Sequence, residues 1–205
     1  MPLKGRTKRD VVCEFRNAEI LEAARKVFAQ KGFTEASVED IAQEAGLAKG
    51  TLYLYYPSKH AIYWAALQNG LVDLSHRLQK RVEAEPTIAA KIRTFIETKL
   101  LYFEENRDFF KIYYAEFGNA ITQPAFFNKD FKEFYLGQLG ILKTALEEGI
   151  RQKSIRSLRI DTAASAIFDI TRGVITQRLL GWSKTNLQED IELLFELAWK
   201  GLASQ

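Results

Sequence analysis

Apolar residues recur along most of this chain at intervals of one, three and four, the spacing of a helix that buries one stripe. Over residues 14–30 Ile20, Leu21, Ala24, Val27 and Phe28 form such a stripe, so a first helix is expected there, ended by Gly32 as a left-handed cap. Ser37 opens a second helix, with Asp40 three residues on as a short form of the capping box and Val38, Ile41, Ala42 and Ala45 as the buried face. Gly46 stops it. After the link Gly46-Leu47-Ala48 the chain resumes as a short third helix, Lys49-Gly50-Thr51-Leu52-Tyr53-Leu54-Tyr55-Tyr56, closed by Pro57, with Leu47, Leu52 and Tyr56 turned inward. Ser58 caps a longer fourth helix carrying Ile62, Ala65, Ala66, Leu67, Leu71, Leu74 and Leu78, which ends before Pro86. Helical patterns follow over residues 87–105, 107–118, 126–153, 161–180 and 186–203, with loops at Gln123-Pro124 and Gly181-Trp182-Ser183-Lys184. Gly137, Gly140 and Gly173 sit inside these patterns, where each costs roughly 1 kcal/mol against alanine, so each is expected to have a packing reason.

Composition narrows the function classes. With 205 residues, 47% of them hydrophobic and only four prolines, the chain has the apolar content for a sizeable core and few helix breakers, which makes all-α the expected fold class. The single Cys13 forms no intramolecular disulfide, and His60 and His76 stand apart on polar backgrounds, so no metal ligand set and no cofactor are expected. The longest apolar run, Ala61 to Leu67, is far short of the roughly 20 residues that cross a bilayer, so a cytoplasmic, soluble protein is expected. The net charge of +3 is mild, but Lys4, Arg6, Lys8 and Arg9 precede the first acid, as a solvated terminus or as a basic arm that follows phosphates. No serine–histidine–acid set and no phosphate-cradling glycine loop appears, so an enzyme is not expected.

The run from Thr34 to Lys59, with the core Ile41-Ala42-Gln43-Glu44-Ala45-Gly46-Leu47-Ala48-Lys49-Gly50-Thr51-Leu52-Tyr53-Leu54-Tyr55-Tyr56-Pro57 and with Val27-Phe28-Ala29-Gln30-Lys31-Gly32-Phe33 before it, resembles the DNA-binding segment of the TetR (tetracycline-repressor) family of transcriptional regulators. The resemblance covers about the first third of the chain; the remainder matches in length and helical character. It implies a helix-turn-helix DNA-binding domain over residues 1–60 and a helical effector-binding and dimerisation domain over 61–205. A recognition helix must enter a major groove by its N-terminal end. Gly50 and Ala48 leave that end bare, Lys49 puts a charge there, and Thr51 offers a hydroxyl and a methyl to base edges. Tyr53, Tyr55 and Lys59 suit phosphates, and Ser37 is either a phosphate ligand or a plain cap. Ala48 stands where family members frequently carry a hydroxyl residue.

One recognition helix makes few contacts, so a homodimer on a palindromic or pseudo-palindromic double-stranded operator is expected. The broad apolar faces of the last two helices, including Ile167, Phe168, Val174, Leu194, Ala198 and Trp199, supply the surface, and the family resemblance implies that this pair forms the interface, with Gly173 allowing close approach. The resemblance also implies a small-molecule effector, apolar or aromatic given the density of Phe and Tyr between Phe95 and Phe168. Its candidate ligands are Phe95, Tyr113, Phe117, Phe131, Phe168 and Arg172, the last as an anchor for a carboxylate. The reading is then a repressor released by its effector, with the fourth helix as the lever; a helical small-molecule or lipid carrier without DNA activity is the competing class.

Overall fold

Nine α-helices run through residues 8–122 and 129–203, the residues that the computed structural model describes. They are α1 (Lys8–Glu35), α2 (Val38–Glu44), α3 (Lys49–Tyr55), α4 (Lys59–Glu83), α5 (Ile88–Glu105), α6 (Arg107–Thr122), α7 (Lys129–Arg151), α8 (Ile160–Leu179) and α9 (Leu187–Leu202). No strand occurs among the described residues beyond an isolated bridge between Ile155 and Ala203. The side chains of the basic arm, residues 4–9, and Gln123, Pro124, Phe126 and Phe127 lie outside the described residues.

The helix starts follow the polar punctuation. Ser37 Oγ accepts from the Asp40 amide at 3.1 Å while Asp40 Oδ2 accepts from the Ser37 amide at 2.9 Å, a complete capping box. Ser58, Thr87 and Asn186 cap α4, α5 and α9 in the simpler way, each accepting from an amide three residues on. Gly32 breaks α1 with φ 72°, and one further turn continues to Glu35. The early start of α1 at Lys8, ahead of the expected residue 14, has a physical reason: its first turns leave Val11, Val12 and Phe15 exposed, so no buried stripe marks them.

Two compact units divide the chain. The first gathers the described residues up to Gly70 together with Asp108–Gly118, and the second takes Leu71–Arg107 and the described residues from Asn119 onward. The core of the first unit is built from Ile20, Leu21, Ala24, Val27 and Phe28 of α1, Val38, Ile41 and Ala42 of α2, Leu52 of α3, and Ile62, Ala66 and Leu67 of α4. Tyr63 packs edge-on to Phe28 and Phe33, each with centroids 5.1 Å away, and its hydroxyl donates to Glu116 Oε2 at 3.4 Å. Burial, and after it the Glu116 carboxylate, push that phenol well above its ordinary value. In the same unit Gly70 is an obligate small residue, because a Cβ there would lie 2.3 Å from Phe109 Cδ2.

In the second unit α5 packs against α7, α8 and α9. Ile88, Ile92, Phe95, Ile96, Lys99, Leu100, Tyr102 and Phe103 are all buried, wider than a surface helix's single stripe, as befits a central helix. Gly149 is the close-packed glycine here, its hypothetical Cβ 3.0 Å from Ile155. The packing reason expected at Gly137, Gly140 and Gly173 is absent, since a Cβ at any of them meets nothing within 4 Å. Close helix packing among the described residues therefore does not explain these glycines.

A buried ion network fixes the corner between α8 and α9. Arg178 donates through Nε to Asp190 Oδ2 at 2.7 Å, through a terminal nitrogen to the Thr185 carbonyl at 2.9 Å, and pairs with Glu104 at 3.2 Å. Thr185 Oγ1 closes the ring by donating to Asp190 Oδ1 at 2.7 Å. Each buried charge therefore has a bonded partner, the condition under which burial of charge is tolerated.

Candidate nucleic-acid interface

α3 is seven residues long and anchored by Leu52, which is fully buried. At about 100° per residue, Gly50 and Leu54 point away from Leu52, and Tyr53 lies at the side of the same outward face. The observed exposure follows this geometry. Lys49, Gly50, Tyr53 and Leu54 are exposed, while Thr51 and Tyr55 are half-buried. Leu54, 83% exposed, is the residue that the sequence reading passed over. The signal was available in its two-residue offset from Leu52, and an apolar side chain held out on a short helix is suited to a thymine methyl.

The polar candidates are engaged in holding the domain. Ser37 makes the capping box of α2. Asp40 of that box also accepts from Lys31 Nζ at 2.7 Å, and these donors, Lys31 first, hold its carboxyl at about 2. Lys49 pairs with Glu39 of α2 and lies 5.9 Å from the Tyr53 ring centroid; the carboxylate raises the Lys49 ammonium and the ammonium lowers Glu39. Tyr55 stands against Cys13 and Arg16 of α1, and the thiol's hydrogen bond, followed by burial, raises its phenol. Tyr56 donates to Asn17 of the same helix.

Lys59 is placed differently from a free phosphate ligand. Its Nζ donates to the carbonyls of Phe33, Thr34 and Ala36 at 2.7, 3.2 and 2.8 Å, and sits 4.6 Å from the Phe33 ring centroid. An ammonium has three donors, so this lysine caps the orphan carbonyls at the end of α1 and ties them to the start of α4. Ala48, the N-cap of α3, has no side-chain bond to the helix amides, and Gly50 has open space around its Cα. A short helix with a bare N-terminal turn and an exposed outer face, held on a rigid three-helix frame, has the form of a helix-turn-helix reader of duplex DNA.

The effector candidates fall in both units. Phe95, Phe131 and Phe168 are buried in the second, where Phe95 and Phe168 stand 6.4 Å apart and Tyr135 meets Phe168 edge-on at 5.1 Å. Arg172, half-buried, pairs with Asp169 at 3.1 Å. Tyr113 and Phe117 belong to the first unit, Tyr113 among Phe109, Phe110 and Tyr114. Lys99, absent from the sequence reading, stands between the rings, its Nζ 3.4 Å from the Phe168 centroid. A lone lysine inside an apolar pattern carries no sequence signal that separates burial from snorkelling.

Comparison with known proteins agrees with this geometry. The family model described as bacterial regulatory proteins, tetR family, matches residues 20–66. The uncharacterised HTH-type transcriptional regulator YvdT of Bacillus subtilis (strain 168) is 32% identical over 97 residues, 47% of this chain and only 50% of that one. The fatty acid metabolism regulator protein of the same organism is 24% identical over 177 residues, 86% of this chain and 88% of that one. Its fold neighbours include a crystal structure of the transcriptional regulator FadR from Bacillus subtilis in complex with stearoyl-CoA, at TM-score 0.74 and 23% identity, covering 90% of this chain and 98% of that one. Residues 20–66 thus match the tetR family of bacterial regulatory proteins, and about nine-tenths of the chain shares its fold with the solved structure of one such transcriptional regulator.

Proposed function

We propose that this chain is a repressor that occupies a two-fold related DNA operator as a homodimer and leaves it when a small apolar molecule binds the second unit. The observation that carries the DNA reading is the outward face of α3, where Lys49, Gly50, Thr51, Tyr53 and Leu54 are presented by a helix whose inner side is locked by Leu52. Thr51 and Leu54 read bases, Tyr53 and Tyr55 meet phosphates, and Lys49 exchanges Glu39 for a phosphate. Ser37 and Lys59 position the reader, the former through its cap and the latter through the three carbonyls.

Homodimerisation is supported by the outer surface of α8 and α9. Leu193 and Leu197 of α9 are 55% and 60% exposed, and an apolar groove of about 560 Å³ lined by Ala163, Ala166, Ile170, Leu197 and Gly201 runs beside them. Gly173 is exposed on the same helix pair and leaves room for a second backbone. An unpartnered apolar surface of this kind is a mark of association. An apolar effector is supported by the rings of Phe95, Phe131 and Phe168 and by the stearoyl-CoA held by the related fold. Both units draw residues from α4 and from α6, so a change in either helix is transmitted along the chain to both.

Selection of bound sequences from random duplexes with the full chain tests this reading. It is expected to return a two-fold related site, lost more than tenfold in Thr51→Ala and Tyr53→Ala. Indifference of the folded chain to every duplex overturns it.

A further inference from the structure

Among the described residues, the second unit buries a cation with no carboxylate hydrogen-bonded or salt-bridged to it. Lys99, 3% exposed, has one hydrogen-bond acceptor, Gln138 Oε1 at 3.1 Å, and lies against the face of Phe168 and within 5.8 Å of the Phe95 centroid. Gln138 is fully buried, and its Nε2 has no hydrogen-bond partner among the described residues. The ammonium has only donors, so it fixes which way the amide points: the carbonyl oxygen goes to Lys99 and the NH₂ is left over. What remains at this spot is donors alone, from Nζ and from Nε2, on two side chains already bonded to each other. Of the charges that act on it, Arg172 opposes the ammonium, and Asp169 favours it but is itself paired with Arg172. Burial first, and then Arg172, hold the Lys99 ammonium well below its ordinary value.

Buried polar atoms in folded proteins are nearly always bonded, and a buried amide donor left without an acceptor beside a buried ammonium asks for a partner. A partner for two adjacent donors is a group with two acceptor oxygens and negative charge. The surroundings of Phe95, Phe168 and Tyr135 are apolar and aromatic, which suits the body of the same molecule.

We propose that Lys99 and Gln138 are the head-group site for an apolar carboxylic acid, whose two oxygens accept from Lys99 Nζ and Gln138 Nε2 while its body lies along Phe95, Phe168 and Tyr135. The proposal rests on the effector reading given above and names the class of effector. The cationic anchor is thus Lys99, while Arg172 is taken up by its pair with Asp169.

The test uses the full chain and two acid–ester pairs: dodecanoate with methyl dodecanoate, and naphthalene-2-acetate with its methyl ester. Thermal unfolding followed by circular dichroism is expected to rise with either acid, and each ester is expected to need at least ten times the concentration for the same shift. Lys99→Met and Gln138→Leu are expected to remove that preference. Gln138→Glu places a carboxylate on Lys99 from within, and is expected to keep the helical spectrum, raise the unliganded midpoint and abolish the acid response; it carries the test if Lys99→Met does not fold. Acids that bind no better than their esters, acids that do not bind, or an unchanged preference in Gln138→Glu overturn the site. Duplex binding is measured separately on the same protein. A chain that binds its operator yet ignores both acids loses this site and keeps the regulator reading, whereas one that binds the acids and no duplex keeps the site and loses the regulator.

Discussion

The two units handle polar side chains in opposite ways. In the first, the bonds at helix ends lie near the surface, whether local, as Ser37 to Asp40, Lys31 to Asp40 and Lys49 to Glu39, or distant, as Lys59 to the carbonyls of Phe33, Thr34 and Ala36. In the second, polar groups lie in the interior and join different helices, as Lys99 to Gln138 and Arg178 to Glu104 and Asp190. A DNA-reading unit must leave one face unencumbered, so its scaffold is stiffened at helix ends. A ligand-responsive unit needs directional groups where water is excluded, so its polar atoms are inside. The contrast predicts that single substitutions cost far more in the second unit.

The largest effect is expected at Arg178. Arg178→Ala leaves Asp190 buried with Thr185 as its remaining partner, and removing one side of a buried pair costs about 3–5 kcal/mol. Urea unfolding of the full chain checks this, and a loss below about 1 kcal/mol would erase the difference between the units.

A smaller effect is expected at the first unit's cap. Ser37→Ala removes the acceptor for the Asp40 amide and is expected to cost about 1 kcal/mol in the same assay. Asp40 adds a pH signature. Its carboxyl is held at about 2 against an ordinary 3.8, so its contribution is complete above the ordinary value and is lost as the pH falls from about 4 through 2. Asp40→Asn should flatten the unfolding midpoint over that window, whereas an unaltered acid slope would remove Asp40 from the cap.

The same contrast explains what the chain disclosed before its structure was known. Caps and turns are local, so Ser37, Gly32, Gly46, Ser58 and the inward Leu52 were readable from spacing, as were the approximate spans of all nine helices. The α3 face followed except for Leu54, whose apolar character concealed an outward position. The carbonyl partners of Lys59 were not legible because they lie more than twenty residues earlier, on a helix end whose position no periodicity reports. Lys99 and Gln138 were invisible for a related reason: they are 39 residues apart on different helices, and nothing in either sequence window marks them as neighbours. Gly70, too, is explained only by Phe109, and the membership of Asp108–Gly118 in the first unit has no local signature.

The smallest effect sharpens the comparison at the DNA face itself. Lys49 stands at the N-terminal end of α3 but is paired with Glu39, so a phosphate must displace a carboxylate that is exposed and screened by salt. An exposed, salt-screened pair of this kind contributes little, so its removal changes affinity by less than about fivefold. Glu39→Gln is therefore expected to tighten duplex binding by about two- to fivefold at low salt, with no loss of stability and with the preferred sequence unchanged. Lys49→Gln is expected to act in the opposite direction and to reduce the slope of log affinity against log salt by about one. If Glu39→Gln leaves affinity unchanged while Lys49→Gln destabilises the fold, Lys49 belongs with Lys59 among the groups that hold the frame. If both affinities move as stated and stability does not, Lys49 belongs to the reading face, and the polar bonds of this unit divide into those that fix α3 and one that yields to the duplex.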